Sequence, residues 1–525
     1  MREIRLEYGG KNENLLERLR REQVYFPAPC GGRGTCGKCR VRFVSDAPEP
    51  SEDGKKFFSE AELADGWRLA CRVTMDGSVV LELPDADEDE IVASTGFAGG
   101  HAGVSAADGS RMAENGTAAG GHIADGGENS GSAGSTGEAG AIPEDADCVI
   151  AVDIGTTTLA ASLVDRNSGQ VLKTVTSVNH QRAYGTDVVS RMDASNNGKA
   201  DELQQSILHD LAGMAEKLGM DPETVPYVIA GNTTMQHLLQ GLSCKTLGVA
   251  PYDPVDISLH TWKNMQMMPG ISTFVGADIV SGMIAVGMDE SDEISLLVDL
   301  GTNGEMVIGS KEKMISASTA AGPAFEGGNI SCGVAGIPGA ISSVTIEDGE
   351  AEVGTIGGKP AIGLCGTGVL ETVYELLKDE LVDETGLMDD DYFDDGFPLA
   401  EGVVFTNKDV REVQLAKSAI RAGIEVLLQE YGVDYDGVAN VYIAGGFGEK
   451  INQEKAIGIG LLPEEFAGKI IPIGNSSLAG AVMLAKDPSL ADRFARVAAA
   501  AGETALAENP KFNDLYMDHM FFPEQ

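Results

Sequence analysis

The sequence predicts a multidomain chain that combines α+β and α/β units, with a duplicated core in its larger, C-terminal part. Three observations support this fold class. A cysteine-rich module lies near the N-terminus, a long low-complexity segment follows it, and one strand–hairpin pattern occurs twice in the remaining chain. Because the chain has 525 residues, it is long enough for three or four domains.

We expect three units along the chain. Residues 1–92 form a small α+β module, residues 93–147 form a disordered linker, and residues 148–525 form the duplicated core. The two lobes of the core are expected to cover about 148–292 and 293–490, with a C-terminal tail after them.

The charge balance argues against two classes of partner. The chain has 81 acidic and 38 basic residues, a formal net charge of −43, which disfavours binding to nucleic acid or to an anionic membrane surface. No apolar segment follows Met1–Arg5, and the longest uncharged stretch, 327–346, is rich in glycine, serine and proline. We therefore expect neither a signal peptide nor a membrane span, and a cytoplasmic protein whose cysteines are not structural disulfides.

Four cysteines mark the N-terminal module. Cys30, Cys36 and Cys39 lie on one glycine-rich loop, and Cys71 follows on a distant segment. The glycines let the backbone wrap closely around sulfur. This arrangement resembles a [2Fe–2S] ferredoxin domain with a β-grasp fold, and its five-residue first gap is closer to the adrenodoxin-like variant than to the plant-type spacing. A zinc site with four cysteine ligands is the alternative, although such sites usually pair two Cys-x-x-Cys knuckles.

The predicted linker consists mainly of glycine, alanine, serine and acidic residues, with almost no large apolar side chain. Such a segment cannot bury enough apolar surface to offset its ordering entropy, so we expect disorder. A glycine-rich coil of this length spans roughly 40 Å, which lets the cysteine module move while it stays tethered.

The core is organised around two equivalent hairpins. In each, a short apolar strand ends in an Asp-x-Gly-Thr turn, which presents N–H and hydroxyl donors to phosphate and a carboxylate to Mg²⁺. The candidate residues are Asp153, Gly155, Thr156 and Thr157 in the first hairpin and Asp299, Gly301, Thr302, Asn303 and Glu305 in the second. Two such hairpins suggest a duplicated fold with a nucleotide between its halves.

Other patterns mark the surroundings of this site. The strand 441–444 runs into Gly445 and Gly446, which admit a flat base or ribose against the backbone. Thr406, with an aspartate three residues later, predicts a capped helix. The small residues after Asn475 predict a helix suited to close packing at a hinge between domains.

These elements, in this order, resemble the superfamily of actin, sugar kinases and heat-shock chaperone ATPases. The matching motifs are Asp153-Ile-Gly-Thr, Asp299-Leu-Gly-Thr, Ala444-Gly-Gly-Phe-Gly and Ala479-Gly-Ala. The resemblance implies an RNase H-like ATPase core that binds ATP and Mg²⁺. It further implies that Asp153 and Asp299 orient the metal ion and that Gly445 and Gly446 border the adenosine, with Glu305 as the candidate for positioning water.

The chain is also similar to the reductive activators of corrinoid proteins. The shared features are the [2Fe–2S] module, both hairpins, the run Ala320-Ala-Gly-Pro-Ala-Phe-Glu-Gly327 and the helix sequence Asp409-Val-Arg-Glu-Val-Gln-Leu-Ala-Lys417. The resemblance implies that one electron passes from the cluster to Co(II), with ATP coupled to the step, to regenerate Co(I). The implied partners are a low-potential electron donor and a corrinoid protein, either a methyltransferase corrinoid subunit or a corrinoid iron–sulfur protein. Some family members have an ordered segment where this chain has its low-complexity linker.

Two alternatives stay open at this point. A small-molecule kinase with an accessory redox domain needs a carboxylate base, and Asp278 or Glu326 is a candidate for that role. An activator of 2-hydroxyacyl-CoA dehydratases is the second alternative, but those proteins resemble dimers that share one [4Fe–4S] cluster and lack a ferredoxin domain.

Overall fold

The computed structural model describes residues 2–22, 24, 28, 32–83, 142–143 and 145–524, with the backbone only at positions 2 and 449. Cys30 and most of the predicted linker, namely residues 93–141 and 144, lie outside these described residues. Within the described ranges, every helix is too short or too polar to cross a membrane.

The N-terminal domain is a small α+β unit. Its main sheet has the order β1-β6-β3-β4, and β2 pairs with β5 beside it. The side chains of Leu15, Leu16 and Leu19 pack one face of α1 into the domain's core. The elements are β1 (Arg2–Leu6), β2 (Glu13–Asn14), α1 (Leu15–Arg21), β3 (Arg40–Phe43), α2 (Glu60–Ala64), β4 (Trp67–Leu69), β5 (Thr74–Met75) and β6 (Val79–Leu83).

The first lobe of the core is built on a six-stranded sheet of order β11-β12-β10-β7-β8-β9. Asn232 caps α5 as a side-chain acceptor, because its Oδ1 receives the N–H of Met235 at 2.9 Å. The elements are β7 (Cys148–Ile154), β8 (Thr158–Asp165), β9 (Gln170–Val178), α3 (Val188–Ala194), α4 (Ala200–Lys217), β10 (Tyr227–Gly231), α5 (Thr233–Gln240), β11 (His260–Trp262), β12 (Met265–Met267) and α6 (Ala277–Ala285).

The second lobe has a six-stranded sheet of order β22-β21-β13-β14-β15-β23 and two smaller sheets, β17-β16-β18 and β19-β20. Its elements are β13 (Ser295–Leu300), β14 (Gly304–Ser310), β15 (Lys313–Thr319), β16 (Ala340–Glu347), β17 (Glu350–Thr355), β18 (Gly363–Leu364), α7 (Gly366–Lys378), β19 (Phe397–Ala400), β20 (Val403–Phe405), α8 (Asn407–Tyr431), β21 (Asn440–Ala444), α9 (Gln453–Gly458), β22 (Ile470–Gly474), α10 (Ser476–Lys486), α11 (Ala491–Ala500), β23 (Gly502–Glu503) and α12 (Phe512–Asp518).

Short helical turns connect these elements. The 3₁₀ turns are Gly54–Lys56, Ala70–Arg72, His180–Ala183, Met288–Glu290, Ala324–Glu326, Ile356–Gly358, Tyr435–Gly437, Gly448–Lys450, Glu464–Phe466, Pro488–Leu490 and Leu506–Glu508, and a π turn spans Ser195–Lys199.

The two six-stranded sheets follow one plan, which confirms the predicted duplication. In the first lobe, β7, β8 and β9 form an antiparallel meander, and β10 runs parallel to β7. In the second lobe, β13, β14 and β15 form the same meander, and β21 runs parallel to β13. The next strand out, β12 or β22, is also parallel in both sheets.

The lobes meet where α6 crosses α10 over a shared apolar core. A Cβ atom built on Gly480 would lie 2.5 Å from the Cβ of Ser281, and one built on Gly282 would lie 2.8 Å from the Oγ of Ser476. Only glycine permits this approach. The expectation of a small-residue helix packed closely between the lobes is therefore confirmed.

Helix α8 anchors the C-terminal tail. The predicted capping box is present, since the Thr406 hydroxyl accepts the N–H of Asp409 and the Asp409 carboxylate accepts the N–H of Thr406. Further along this helix, Nζ of the buried Lys417 donates to the carbonyls of His519 and Phe521 at 2.6 and 2.7 Å.

Candidate functional site

The two predicted aspartates occupy equivalent positions in the two lobes. Asp153 lies near the end of β7 opposite Ala230 on the parallel strand β10. Asp299 lies near the end of β13 opposite Ala444 on the parallel strand β21. Because each carboxylate is at the carboxyl end of a parallel pair, both point toward the crevice where open α/β sheets bind ligands.

One carboxylate joins the two hairpins. The hydroxyl of Thr157 donates to Oε2 of Glu326 at 3.2 Å, and the hydroxyl of Thr302 donates to the same oxygen at 2.7 Å. Glu326 ends the 3₁₀ turn after a glycine-rich loop of the second lobe. The structure thus brings the predicted threonines of both hairpins to within a few ångströms of each other.

Residues of the first lobe hold the first hairpin in place through hydrogen bonds. The N–H of Gly155 closes the turn on the carbonyl of Thr158 at 3.1 Å, and a Cβ on Gly155 would lie 2.5 Å from that oxygen. The amide of Asn179 donates to the carbonyl of Gly155 at 2.8 Å. The amide of Asn232 donates to the hydroxyl of Thr156 at 3.1 Å. The hairpin is therefore held in one conformation before any ligand is considered.

Two side chains from the start of α10 hold the first aspartate. Asn475 donates its amide to Oδ2 of Asp153 at 2.9 Å, and Ser477 donates its hydroxyl to Oδ1 at 2.7 Å. Desolvation raises the pKa of Asp153, and these two hydrogen bonds oppose that rise. Helix α10 thus fixes the direction of a carboxylate in the other lobe.

The cleft concentrates carboxylates. Glu305 is buried, and Asp278, Asp299 and Glu326 are partly buried. Desolvation, reinforced by repulsion between the carboxylates, raises the pKa of Asp278 to about 7 and the pKa of Asp299 to about 8. The same two causes, in the same order, raise the pKa of Glu305, and desolvation raises the pKa of Glu326. Hard oxygen ligands that repel one another favour a divalent cation, so these residues fit Mg²⁺ in their chemistry.

Glu305 lies directly across from Asp299 in the pairing of β14 with β13. It is buried, and the amide of Asn303 donates to its Oε1 at 3.2 Å. Gly301 approaches the neighbouring Glu326, since a Cβ built on it would lie 3.5 Å from that carboxylate. The predicted residues of the second hairpin are therefore together on one side of the cleft.

The glycine turn after β21 faces the same cleft. Gly445 has φ of 92°, and a Cβ on it would lie 2.9 Å from Oδ1 of Asp299. Around Gly446, a built Cβ meets no described atom within 4 Å, which leaves room against the backbone. The rings of Phe325 and Phe447 stack at 5.1 Å beside this turn. These features suit a flat ligand group.

Two of the described cysteines of the N-terminal domain lie close together. The sulfur atoms of Cys39 and Cys71 are 3.3 Å apart, near the ~3.8 Å between two tetrahedral thiolate ligands of one metal ion. Cys36 lies between Gly34 and Gly37, whose positive φ angles and close neighbours leave no room for a Cβ. Such a tight backbone fits the wrapping of a cluster.

Among the described residues, three or more metal-ligating side chains do not meet at one point. The fourth predicted ligand, Cys30, is not among them.

Several residues at the site were not singled out by motif. They are the two residues that hold Asp153 and two residues that hold the first hairpin: Asn475, Ser477, Asn179 and Arg191. Glu326 was named only as a candidate base of a kinase, and its bridge between the hairpins was not predicted. Their contacts join segments far apart in the chain, so local pattern carries little signal for them. Asn475 caps α10 by accepting the N–H of Leu478, whereas the prediction made at this position was only the small-residue helix that follows it.

Family models match most of the chain. A 2Fe–2S iron–sulfur cluster binding domain matches residues 5–76, the RACo middle region matches 148–291, and the C-terminal domain of RACo, the ASKHA domain, matches 293–525. These matches confirm the predicted fold class, a ferredoxin-like domain followed by an actin-like ATPase domain, and they favour iron–sulfur over zinc at the cysteines.

Known proteins also resemble most of the chain. It is 32% identical over 419 residues to the corrinoid activation enzyme RamQ of Eubacterium limosum, covering 71% of this chain and 70% of that protein. It is 27% identical over 414 residues to the Co(II) methylated amine-specific corrinoid protein reductase of Methanosarcina barkeri, covering 70% and 76%. A solved structure of a reductive activator for corrinoid, iron–sulfur protein matches with a TM-score of 0.67 and 26% identity, covering 97% and 95%.

Proposed function

Because this chain belongs to the family of reductive activators of corrinoid proteins, we propose that it uses ATP to return a corrinoid protein from Co(II) to Co(I). The observation that carries the proposal is the presence, in one chain, of a [2Fe–2S] domain and a two-lobed ATPase domain whose hairpins meet at Glu326. An electron carrier and an ATP-driven switch are the two parts that such a reaction requires.

A [2Fe–2S] cluster held in this domain would supply the one electron that converts Co(II) of the partner to Co(I), and the low-potential electron donor would restore that electron. We assign Cys30, Cys36, Cys39 and Cys71 as its ligands. The described part of the loop supports this assignment, because Cys39 and Cys71 face each other and glycines flank Cys36. Asn14 adds rigidity by donating its amide to the carbonyl of Cys71 at 3.0 Å.

The energy of the electron transfer explains the need for ATP. A plant-type cluster has a potential near −400 mV, and Co(I) is a stronger reductant. An uphill gap of ~120 mV costs about 3 kcal/mol for one electron. This cost is at the top of the usual range of about 1–3 kcal/mol for coupling between two sites. Nucleotide-dependent clamping on the corrinoid partner is therefore sufficient, without a phosphorylated intermediate.

We assign the nucleotide site to the cleft between the lobes. Asp153 and Asp299 orient Mg²⁺ and its waters, and Glu305 positions the attacking water. The phosphates lie against the two hairpins, at Gly155, Thr156, Thr157, Gly301, Thr302 and Asn303. The open backbone at Gly445 and Gly446 borders the adenosine, a placement supported by the space around Gly446.

The domain order suggests how the parts cooperate. Residues 93–147 serve as a tether that lets the domain 1–92 leave the ATPase core, 148–525, and approach cobalt. The partner is a methyltransferase corrinoid subunit or a corrinoid iron–sulfur protein, and neither nucleic acid nor a membrane takes part. We place the reaction in the cytoplasm.

The decisive experiment mixes anaerobically purified, reduced protein with a corrinoid protein in the Co(II) state and follows the corrinoid absorption spectrum. We expect Co(I) to appear only when Mg²⁺ and ATP are both present. ATP turnover should rise when the Co(II) protein is added. Phosphorylation of a small molecule without any ATP-dependent change at cobalt would instead favour a kinase.

A further inference from the structure

The cysteine domain rests on the first lobe through one face of α1. Arg20 donates from its guanidinium to the carbonyl oxygen of Ala183, and its central carbon lies 4.6 Å above the ring of Tyr184. One turn earlier, Glu17 forms an ion pair of 2.5 Å with Lys199. These partners are 163 and 182 residues apart in the chain. We call this set of five residues the docking contact.

Part of the docking contact falls on a segment that begins beside the first phosphate hairpin. Ala183 and Tyr184 lie in this segment, residues 179–185, which is called here the bridging segment, and Lys199 lies after it. At its start, Asn179 donates its side-chain amide to the carbonyl of Gly155 at 2.8 Å and its N–H to the carbonyl of Thr157 at 3.0 Å. Any movement of the hairpin backbone therefore acts directly on the start of the segment.

The end of the bridging segment is tied to the same hairpin by a buried arginine. Arg191 donates from Nε to the carbonyl of Gly185 at 2.9 Å and from Nη2 to the carbonyl of Thr156 at 2.5 Å. Its side chain is fully buried, so both bonds are made away from water. The hairpin thus holds both ends of the segment, while the cysteine domain holds its middle, at Ala183 and Tyr184.

Two buried polar atoms at this junction lack hydrogen bonds. They are Nε of Arg20, in the docking contact, and Oε1 of Gln181, in the bridging segment, and neither has a partner among the described residues. Unsatisfied buried groups are rare in native structures, and each costs a desolvation free energy that water would return if the contact opened. The junction is therefore well suited to shift between a docked and a released arrangement.

The same helix also reaches the cysteine loop. Asn14, which caps α1, donates its amide to the carbonyl of Cys71 at 3.0 Å. The start of α1 therefore contacts Cys71, a proposed cluster ligand, and the end of α1 contacts the first lobe of the ATPase domain.

We propose that docking of the cysteine domain on the bridging segment is coupled to nucleotide binding at the first hairpin, so that the nucleotide governs the release of this domain. The inference rests on the nucleotide site of the proposed function and adds its regulation. Coupling between two equilibria is reciprocal. If bound nucleotide changes the equilibrium constant for docking by some factor, docking must change the dissociation constant of the nucleotide by the same factor.

Zero-length cross-linking with a carbodiimide measures docking in the full chain. The reagent joins a carboxylate to an amine only when the two are in contact, as Glu17 and Lys199 are. The ion pair of Asp292 with Lys311, at 2.6 Å within the ATPase domain, is the internal control. We expect saturating Mg²⁺ and a non-hydrolysable ATP analogue to change the Glu17–Lys199 yield at least threefold and to leave the control yield unchanged.

Variants test reciprocity through the dissociation constant of the same analogue. Arg20→Ala and Lys199→Glu each remove part of the docking contact, so both should change this constant in one direction, by about the factor seen in cross-linking. Glu17→Gln removes the charge of the same ion pair from the other side and should change the constant in the same direction as Lys199→Glu. Arg21→Ala is the matched control, because Arg21 pairs with Glu13 inside the cysteine domain.

Each outcome has a distinct meaning. If the native chain binds the analogue but the cross-link yield and the variant constants do not change, the coupling is disproved and the proposed function stands. An absent Glu17–Lys199 cross-link also disproves the inference. If the native chain does not bind the analogue, the nucleotide site of the proposed function is wrong.

Discussion

The hydroxyl of Ser477 donates a 2.7 Å hydrogen bond to the carboxylate of Asp153, although 324 residues separate them in the chain. Asp153 belongs to the first lobe, and Ser477 lies in the first turn of α10, which follows β22 of the second lobe. The bond therefore connects the geometry of a proposed metal-orienting group to the helix that crosses between the lobes.

The adjacent serines of α10 provide a matched pair of variants. Ser477→Ala should weaken binding of Mg²⁺–ATP by about tenfold, because hydrogen bonds to charged groups contribute roughly 1.5–3 kcal/mol. Ser476→Ala should have little effect, since the buried Oγ of Ser476 has no hydrogen-bond partner among the described residues. Calorimetric titration of both variants with Mg²⁺–ATP measures the difference in affinity. Equal losses of affinity in the two variants would argue against a specific role for the Asp153 contact.

The second prediction concerns Asp299. Asp299→Ala should abolish ATP turnover and leave the visible spectrum of the cluster unchanged, because the aspartate faces the cleft and not the cysteine domain. Asp292→Ala removes a carboxylate of the same domain that pairs with Lys311 on the surface, and it should retain activity. ATP turnover at the native rate in the Asp299 variant would contradict the assignment.

The third prediction concerns the cluster ligands. Anaerobically purified protein should be red-brown and contain two irons and two sulfides, and Cys36→Ala should remove the colour. Cys332→Ala is the control, because Cys332 lies in the second lobe beside the carbonyl of Gly402. Iron, sulfide and absorption measurements on freshly purified protein test this directly. Stoichiometric zinc without iron would show that the site is a zinc site.

Local features of the fold were predictable because their causes are local. Both Asp-x-Gly-Thr hairpins, the capping box of Thr406 and the cap at Asn232 depend on residues within a few positions of one another. The two aspartates were predictable for a related reason, since the same motif occurs in both copies.

Long-range contacts were not predictable in the same way. Thr157 and Glu326 are 169 residues apart, so their hydrogen bond depends on how the two lobes close. The docking contact of Arg20 has no motif at all, because an arginine near the end of a surface helix is equally expected to be solvated. Such contacts follow from the packing of whole domains.

The last prediction uses the buried lysine that anchors the C-terminal tail. Burial, with a smaller contribution from Arg421, lowers the pKa of Lys417 from 10.5 to about 7. Above about pH 10.5 this amine is neutral in both the folded and the unfolded chain. As the pH falls toward 7, the unfolded chain takes up a proton that the folded chain does not. The contribution of Lys417 to stability therefore decreases as the pH falls through this window.

Lys417→Met isolates this effect. At pH 10 the native chain should be more stable than the variant, because its neutral amine still donates to carbonyls of the tail. The difference in unfolding free energy between the native chain and the variant should narrow toward pH 7, with a slope of at most about 1.4 kcal/mol per pH unit. Urea unfolding of the C-terminal lobe at several pH values measures the gap, and Lys408→Met, at an exposed position of the same helix, should show no such slope. A gap that stays constant between pH 7 and 10 would mean that Lys417 remains charged in the folded protein, with the two carbonyls compensating its burial.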